Sequence, residues 1–184
     1  MEARACNTVF KGTVKNGCVQ YRGIPYAKVP TGDLAIKSPV PYEFEGEVFD
    51  ATRGSYNPVQ PPGHRNITYI DEDCLYLNIF VPENNNGGRL PVVVWFYGGS
   101  YNTGGAGIKG PDSDELVTDM SFYARKTGSI VVTFNYRLNM YGFLYLHGIL
   151  PSRFDANCGI RDQIMGAFFI NRWDNPDPFA FRGI

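Results

Sequence analysis

The chain has 184 residues, 43% hydrophobic and 19% charged; that length suffices for one domain with a sizeable core, and the composition is globular rather than disordered. Its 17 basic and 18 acidic residues leave a formal net charge of -1, which gives no footprint for a nucleic acid or an anionic membrane surface. The most apolar stretch, Ile130 to Leu146, is interrupted by Asn135, Arg137 and Asn139, so no membrane-spanning segment is expected.

The opening MEARACNTVFKG lacks the apolar run of a signal peptide. This leaves a cytoplasmic chain, or a secreted one whose leader is not among these residues. From Thr13 to Ile24 the pattern reads as short strands joined at Asn16-Gly17, a dipeptide suited to a two-residue hairpin turn. The following stretch to residue 64 is rich in proline and is expected to be irregular. It leads to Asn66-Ile67-Thr68, which makes Asn66 a candidate glycosylation acceptor and leans toward a secreted protein.

Leu75 to Val81 reads as a strand, and Pro91 to Tyr97 as a second. The continuous apolar run of the second predicts burial on both faces. It stops at Gly98-Gly99-Ser100. Asp112 or Ser113 is placed to cap a helix from about Asp114, with Leu116, Met120, Tyr123 and Ala124 on one face and Gly128 as terminator. Ser129 to Tyr136 is a third buried strand, and Asn157 is placed to cap a last helix from about Gly159 to Trp173. Beyond it, Pro176 and Pro178 oppose further helix.

Strand, loop, helix, strand is the rhythm of an α/β sheet. Ligand groups in such sheets gather beyond the carboxyl ends of the strands, where Gly98-Gly99-Ser100 falls. The cysteines, Cys6, Cys18, Cys74 and Cys158, fit no zinc spacing. Their state is left open between free thiols and a bridge such as Cys6 to Cys18.

Five segments, in order, carry a resemblance. Tyr21-Arg22-Gly23-Ile24-Pro25-Tyr26-Ala27, Glu72-Asp73-Cys74-Leu75-Tyr76-Leu77-Asn78-Ile79, Trp95-Phe96-Tyr97-Gly98-Gly99-Ser100, Asn135-Tyr136-Arg137 with Gly142-Phe143-Leu144, and Gly159-Ile160-Arg161-Asp162-Gln163 resemble segments of the type-B carboxylesterase and cholinesterase family. That family also includes adhesion proteins of the neuroligin type. The resemblance implies the N-terminal part of an α/β-hydrolase: short antiparallel strands, then a mixed βαβ-type sheet, incomplete within these residues. It implies a serine hydrolase acting on uncharged carboxylic esters, with the N–H groups of Gly99 and Ser100 as oxyanion-hole donors and Gly98 shaping the turn. Tyr97 and Tyr101 are candidates for the pocket wall, with plain packing as the alternative.

The same resemblance shows what these residues lack. No G-x-S-x-G occurs in the chain, although the family's nucleophile elbow follows soon after the segment matched by Asp162-Gln163. The expectation is therefore one partial domain, residues 1–184, truncated before the elbow, with no catalytic residue of its own. The only histidines are His64, in a polar loop, and His147, in a segment the family does not use for catalysis. Without a base, neither Ser100, Ser55 nor Ser129 is expected to act as a nucleophile. The family often carries a third glycine where Ser100 stands, and pairs the cysteine matched by Cys74 with one upstream, where this chain has Val59. The loop between lacks the choline-binding tryptophan of cholinesterases, so acetylcholine is not the expected substrate. No cofactor or metal is implied. The expected partners are an ester and the remaining C-terminal part of the hydrolase, which would also cover an apolar strand edge. A non-catalytic, neuroligin-like adhesion protein is the alternative, favoured by Ser100 and the Asn66 sequon.

Overall fold

The computed structural model describes residues 1–62, 67–84, 89–146, 148–150 and 152–172. A five-stranded sheet forms the centre: β3 (Thr13–Lys15), β4 (Cys18–Pro25), β6 (Tyr76–Pro82), β8 (Ile130–Phe134) and β7 (Val92–Trp95), in that order. The β3–β4, β4–β6 and β6–β8 pairs are antiparallel and β7–β8 is parallel. A smaller sheet joins β1 (Glu2–Ala5) antiparallel to β2 (Thr8–Lys11), and β2 parallel to β5 (Val48–Asp50). This is the expected α/β class, with short antiparallel strands leading into a mixed sheet.

The hairpin between β3 and β4 turns at Asn16 and Gly17 with φ of 54° and 70°, the left-handed pair that a type I′ turn needs. Strands β1, β2 and β5 are additions to the sequence reading. Each has three or four residues, too short a run for alternation to stand out. β5 also interrupts the proline-rich stretch expected to be irregular.

Alternation across β6 and β8 builds two cores. Leu77, Ile79 and Val81 of β6, with Ile130, Val132 and Phe134 of β8, join one cluster; Phe80 and Val131 join the other. Successive side chains point to opposite faces, so both central strands are buried throughout or nearly so. Helix α1 (Ser121–Thr127) covers the second face through Ala124. Helix α3 (Cys158–Arg172) contributes Phe169 and Met165 to the first.

Three sequence expectations need correction. α1 begins at Ser121 rather than near Asp114, because Leu116 is engaged in a β-bridge with Ile108. Asp119 Oδ1, not Asp112 or Ser113, accepts the Ser121 N–H at 2.8 Å. Gly128 does end the helix, at φ 63°. β7 is covered only in part: Val92 and Val94 pack against one core and Val93 against the other, but the strand lies at the sheet edge and Trp95 is 45% exposed. Its apolar run marks a strand with one open edge. No disulfide joins the cysteines. Cys6 lies exposed in the β1–β2 turn, while Cys18 is buried with its thiol donating to the Ser121 carbonyl, so the Cys6–Cys18 bridge does not form. A short helix, α2 (Asn139–Phe143), follows β8. Among the described residues no helix is long and apolar enough to cross a membrane.

Candidate active site at the turn after strand β7

The chain leaves β7 at Trp95 and turns at Gly98–Thr103. Gly99 has φ 143°, and a Cβ there would lie 1.9 Å from the Thr103 carbonyl oxygen; only glycine fits. A Cβ at Gly98 would meet nothing within 4 Å, so the steric demand of this turn falls on Gly99. The N–H groups of Asn102 and Thr103 both donate to the Gly99 carbonyl, at 3.0 and 3.1 Å, and close the loop. Ser100 and Tyr101 follow at φ 54° and 58°. Two consecutive non-glycine residues in the left-handed region cost roughly 1–2 kcal/mol each. Strain of this kind persists where surrounding structure enforces it, commonly at functional sites.

The N–H groups of Gly99 and Ser100, like those of Gly98 and Tyr101, have no protein acceptor among the described residues. Ser100 is exposed and Gly99 half-buried. Open backbone donors on a sharp turn at a strand's carboxyl end are groups of the kind that can stabilise a developing oxyanion. Ser100 differs from glycine here in strain and in bulk, not in its N–H.

What holds the turn in place was not visible as a motif. Gln60, buried, bonds Gly104 twice: its Nε2 donates to the carbonyl at 2.7 Å and its Oε1 accepts the N–H at 2.9 Å. Asn57 accepts from the Gly107 N–H at 2.8 Å and donates to the Ile108 carbonyl at 2.7 Å. Asn135 accepts from the Ala106 N–H at 2.7 Å, and Asn78 donates to the Ala106 carbonyl at 2.7 Å. Four buried amides thus take the place of a neighbouring strand for Gly104, Ala106, the Gly107 N–H and the Ile108 carbonyl. The only sequence signal was amides inside otherwise apolar or proline-rich stretches.

The two tyrosines separate. Tyr97 is buried and stacked on Tyr136 with ring centroids 4.4 Å apart; Tyr97 Oη donates to the Tyr136 carbonyl and Tyr136 Oη to that of Tyr97, at 3.1 and 2.7 Å. Burial pushes the Tyr97 hydroxyl well above its usual pKa and that of Tyr136 up to about 12, so both remain neutral donors. Here Tyr97 packs. Tyr101 is 51% exposed, rests on Phe143 at 4.8 Å, and its carbonyl accepts the Asn139 N–H at 2.7 Å. Of the two, only Tyr101 borders the open side of the turn.

Arg137 and Asp162 form a buried pair. Arg137 Nε and backbone N–H donate to Asp162 Oδ2 at 2.8 and 3.0 Å, and Nη2 to Oδ1 at 2.6 Å. Burial pushes the Asp162 carboxyl above its ordinary value against the pull of Arg137. The pair ties the end of β8 to α3. Ser55 and Ser129 are buried and far from the role of an exposed nucleophile. His64, His147 and Asn66 lie outside the described residues, so no base can be placed beside Ser100. Among the described residues no group of three His, Cys, Asp or Glu is arranged to hold a metal ion.

A mixed sheet of this order, carrying a glycine turn with open N–H donors at a strand's carboxyl end, defines the N-terminal part of an α/β-hydrolase. Residues 7–172 match the carboxylesterase family, and the chain belongs to that family. It is similar to the para-nitrobenzyl esterase of Bacillus subtilis, 38% identical over 179 residues, covering 94% of this chain and 34% of that protein. The acetylcholinesterase of Leptinotarsa decemlineata is 34% identical over 188 residues, covering 89% of this chain and 28% of the enzyme. Among solved structures, a thermophilic para-nitrobenzyl esterase superposes with a TM-score of 0.84 at 33% identity, over 100% of this chain and 36% of that one. A Geobacillus stearothermophilus carboxylesterase gives 0.78 at 29% identity, over 99% and 35%. The chain therefore spans about a third of the length of these relatives.

Proposed function

We propose that this chain supplies the oxyanion-hole loop for hydrolysis of uncharged carboxylic esters. Gly99 and Ser100 present the donor N–H groups, and nucleophile, acid and base come from residues outside the 184. The observation that carries the reading is the unpaired pair of N–H groups on the Gly99–Tyr101 turn. A tetrahedral oxyanion gains more from such fixed donors than the flat ester carbonyl does, which is how they lower the barrier. Tyr101 and Phe143 offer an apolar wall beside them. The relatives named above are esterases, so the adhesion alternative draws no support from them.

The complementing polypeptide would pair with the open edge of β7 and cover Trp95, Phe96, and the exposed Ile164 and Phe168 of α3. Apolar surface of this kind is the usual mark of an interface.

The test has two arms. The purified chain alone is expected to take no fluorophosphonate label and to turn over no p-nitrophenyl acetate above buffer; stoichiometric labelling of a serine here would overturn the assignment of the triad to other residues. In the second arm, this chain replaces the matching third of the Bacillus subtilis para-nitrobenzyl esterase. A folded chimera should hydrolyse esters. A folded but inactive chimera would contradict the oxyanion role.

A further inference from the structure

We infer that Asn139 is a positioning residue for the candidate oxyanion turn, tying Tyr101 to Val59 and thereby setting the direction of the Ser100 N–H. The inference rests on the proposed role of the turn and adds what holds its donor in place; Asn139 itself touches no reacting atom. Asn139 opens α2 at φ 44°, a left-handed conformation that asparagine tolerates better than most residues with a side chain. Its N–H donates to the Tyr101 carbonyl and its Nδ2 to the Val59 carbonyl, both at 2.7 Å. α2 grips Tyr101 a second time through Phe143, the two ring centroids lying 4.8 Å apart.

The hold on Tyr101 reaches the donor because peptide groups are planar. The Tyr101 carbonyl and the Asn102 N–H belong to one plane, so fixing the carbonyl aims the N–H. The Asn102 N–H donates to the Gly99 carbonyl at 3.0 Å, and that carbonyl shares its plane with the Ser100 N–H. Two rigid planes joined by one hydrogen bond thus link Asn139 to a proposed oxyanion donor. Among the described residues, the bond from Asn139 is the only backbone hydrogen bond that reaches Ser100 or Tyr101 from outside the turn. Left-handed strain at two adjacent residues persists only under such outside restraint.

Both ends of the restraint are themselves anchored. Gly142 of α2 is seated on the chain just after β8, where a Cβ would lie 2.2 Å from the Arg137 carbonyl oxygen. Val59 precedes Gln60, whose side chain binds the carbonyl and N–H of Gly104. One dipeptide therefore holds the loop at Gly104 directly and at Tyr101 through Asn139.

Two variants test this. Asn139→Gly keeps the N–H and the left-handed φ but removes the tie to Val59. Asn139→Asp keeps the side chain's size and sets an oxygen, rather than a donor, against the Val59 carbonyl. In NMR spectra of the 184-residue chain, both should move the backbone shifts of Ser100 and Tyr101 away from left-handed values while Ala106 and Gly107 hold theirs. Unmoved Ser100 and Tyr101 in the folded variants would overturn the inference. A response to Asn139→Gly alone, with Asn139→Asp folded and silent, would trace the effect to glycine's backbone freedom and overturn it as well. In the chimera with the para-nitrobenzyl esterase, kcat per active site, counted by fluorophosphonate titration, should fall about tenfold to a hundredfold with KM nearly unchanged. A merely structural role would lower the number of active sites and leave kcat per site as it was, and that result would refute the inference. Should the unaltered chimera fold but prove inactive, the oxyanion reading fails on its own, and the NMR comparison alone decides whether Asn139 sets the turn.

Discussion

The glycine-rich segment after β7 divides at Thr103 into two parts built on opposite terms. Residues 104–108 are buried, and Gln60, Asn57, Asn78 and Asn135 pair six of their backbone groups. Residues 98–102 lie largely exposed, with Ser100 and Tyr101 in the left-handed region and the N–H groups of residues 98–101 without an acceptor among the described residues. One part is largely paired by buried side chains; the other is strained and presents open donors. Fixing the first is what allows the second to hold a conformation that local energetics disfavour.

Glycine substitution should separate the two parts most sharply. At Gly107 a Cβ would lie 2.4 Å from the Ser55 carbonyl oxygen and 2.6 Å from that of Tyr56, backbone atoms that cannot swing aside. Gly107→Ala is expected to cost about 3 kcal/mol in urea denaturation. A loss below about 1 kcal/mol would show that the clamp yields. Next comes Asn57→Ala, which strands the Gly107 N–H and the Ile108 carbonyl in a buried setting; a loss of about 2–4 kcal/mol is expected. Ser100→Gly should act in the opposite direction, raising stability by about 1 kcal/mol as the left-handed strain is relieved. No gain would mean that the strain is not stored at Ser100. Gly98→Ala, with open space around it, should change stability by no more than about 0.5 kcal/mol.

A smaller, pH-dependent effect lies away from the turn. Asp155 accepts from the N–H and Oγ of Ser38 at 2.7 and 2.6 Å, and these bonds hold its carboxyl below the usual value. A carboxyl whose folded pKa is depressed stabilises the fold above its unfolded pKa of about 4. That contribution disappears as pH falls through the lower, folded value. Asp155→Asn should therefore flatten the acid limb of thermal stability while leaving the neutral plateau nearly unchanged in slope. An unaltered acid limb would remove Asp155 from the account.

The exposed part of the site was legible in the sequence because its signal is local. Gly98-Gly99-Ser100 interrupts an apolar run, and that alone places a turn at a strand end. The supporting part was not, because Gln60 and Gly104 meet across 44 residues, and no spacing encodes that contact. The same holds for helix α1, whose apolar pattern extends back to Leu116 although that residue pairs with Ile108 instead. Periodicity records which residues seek burial but not which partner they find. β7 shows the converse: its composition is that of a covered strand, while its place at the sheet edge is a property of topology.

Amide hydrogen exchange followed by NMR tests the central claim most directly. The N–H groups of Gly99 and Ser100 should exchange close to the rates of unstructured peptide, while those of Ala106 and Gly107 should be protected nearly to the global unfolding limit. Comparable protection across both parts would mean that the donors are already engaged, and would contradict the reading of the turn as an open oxyanion site.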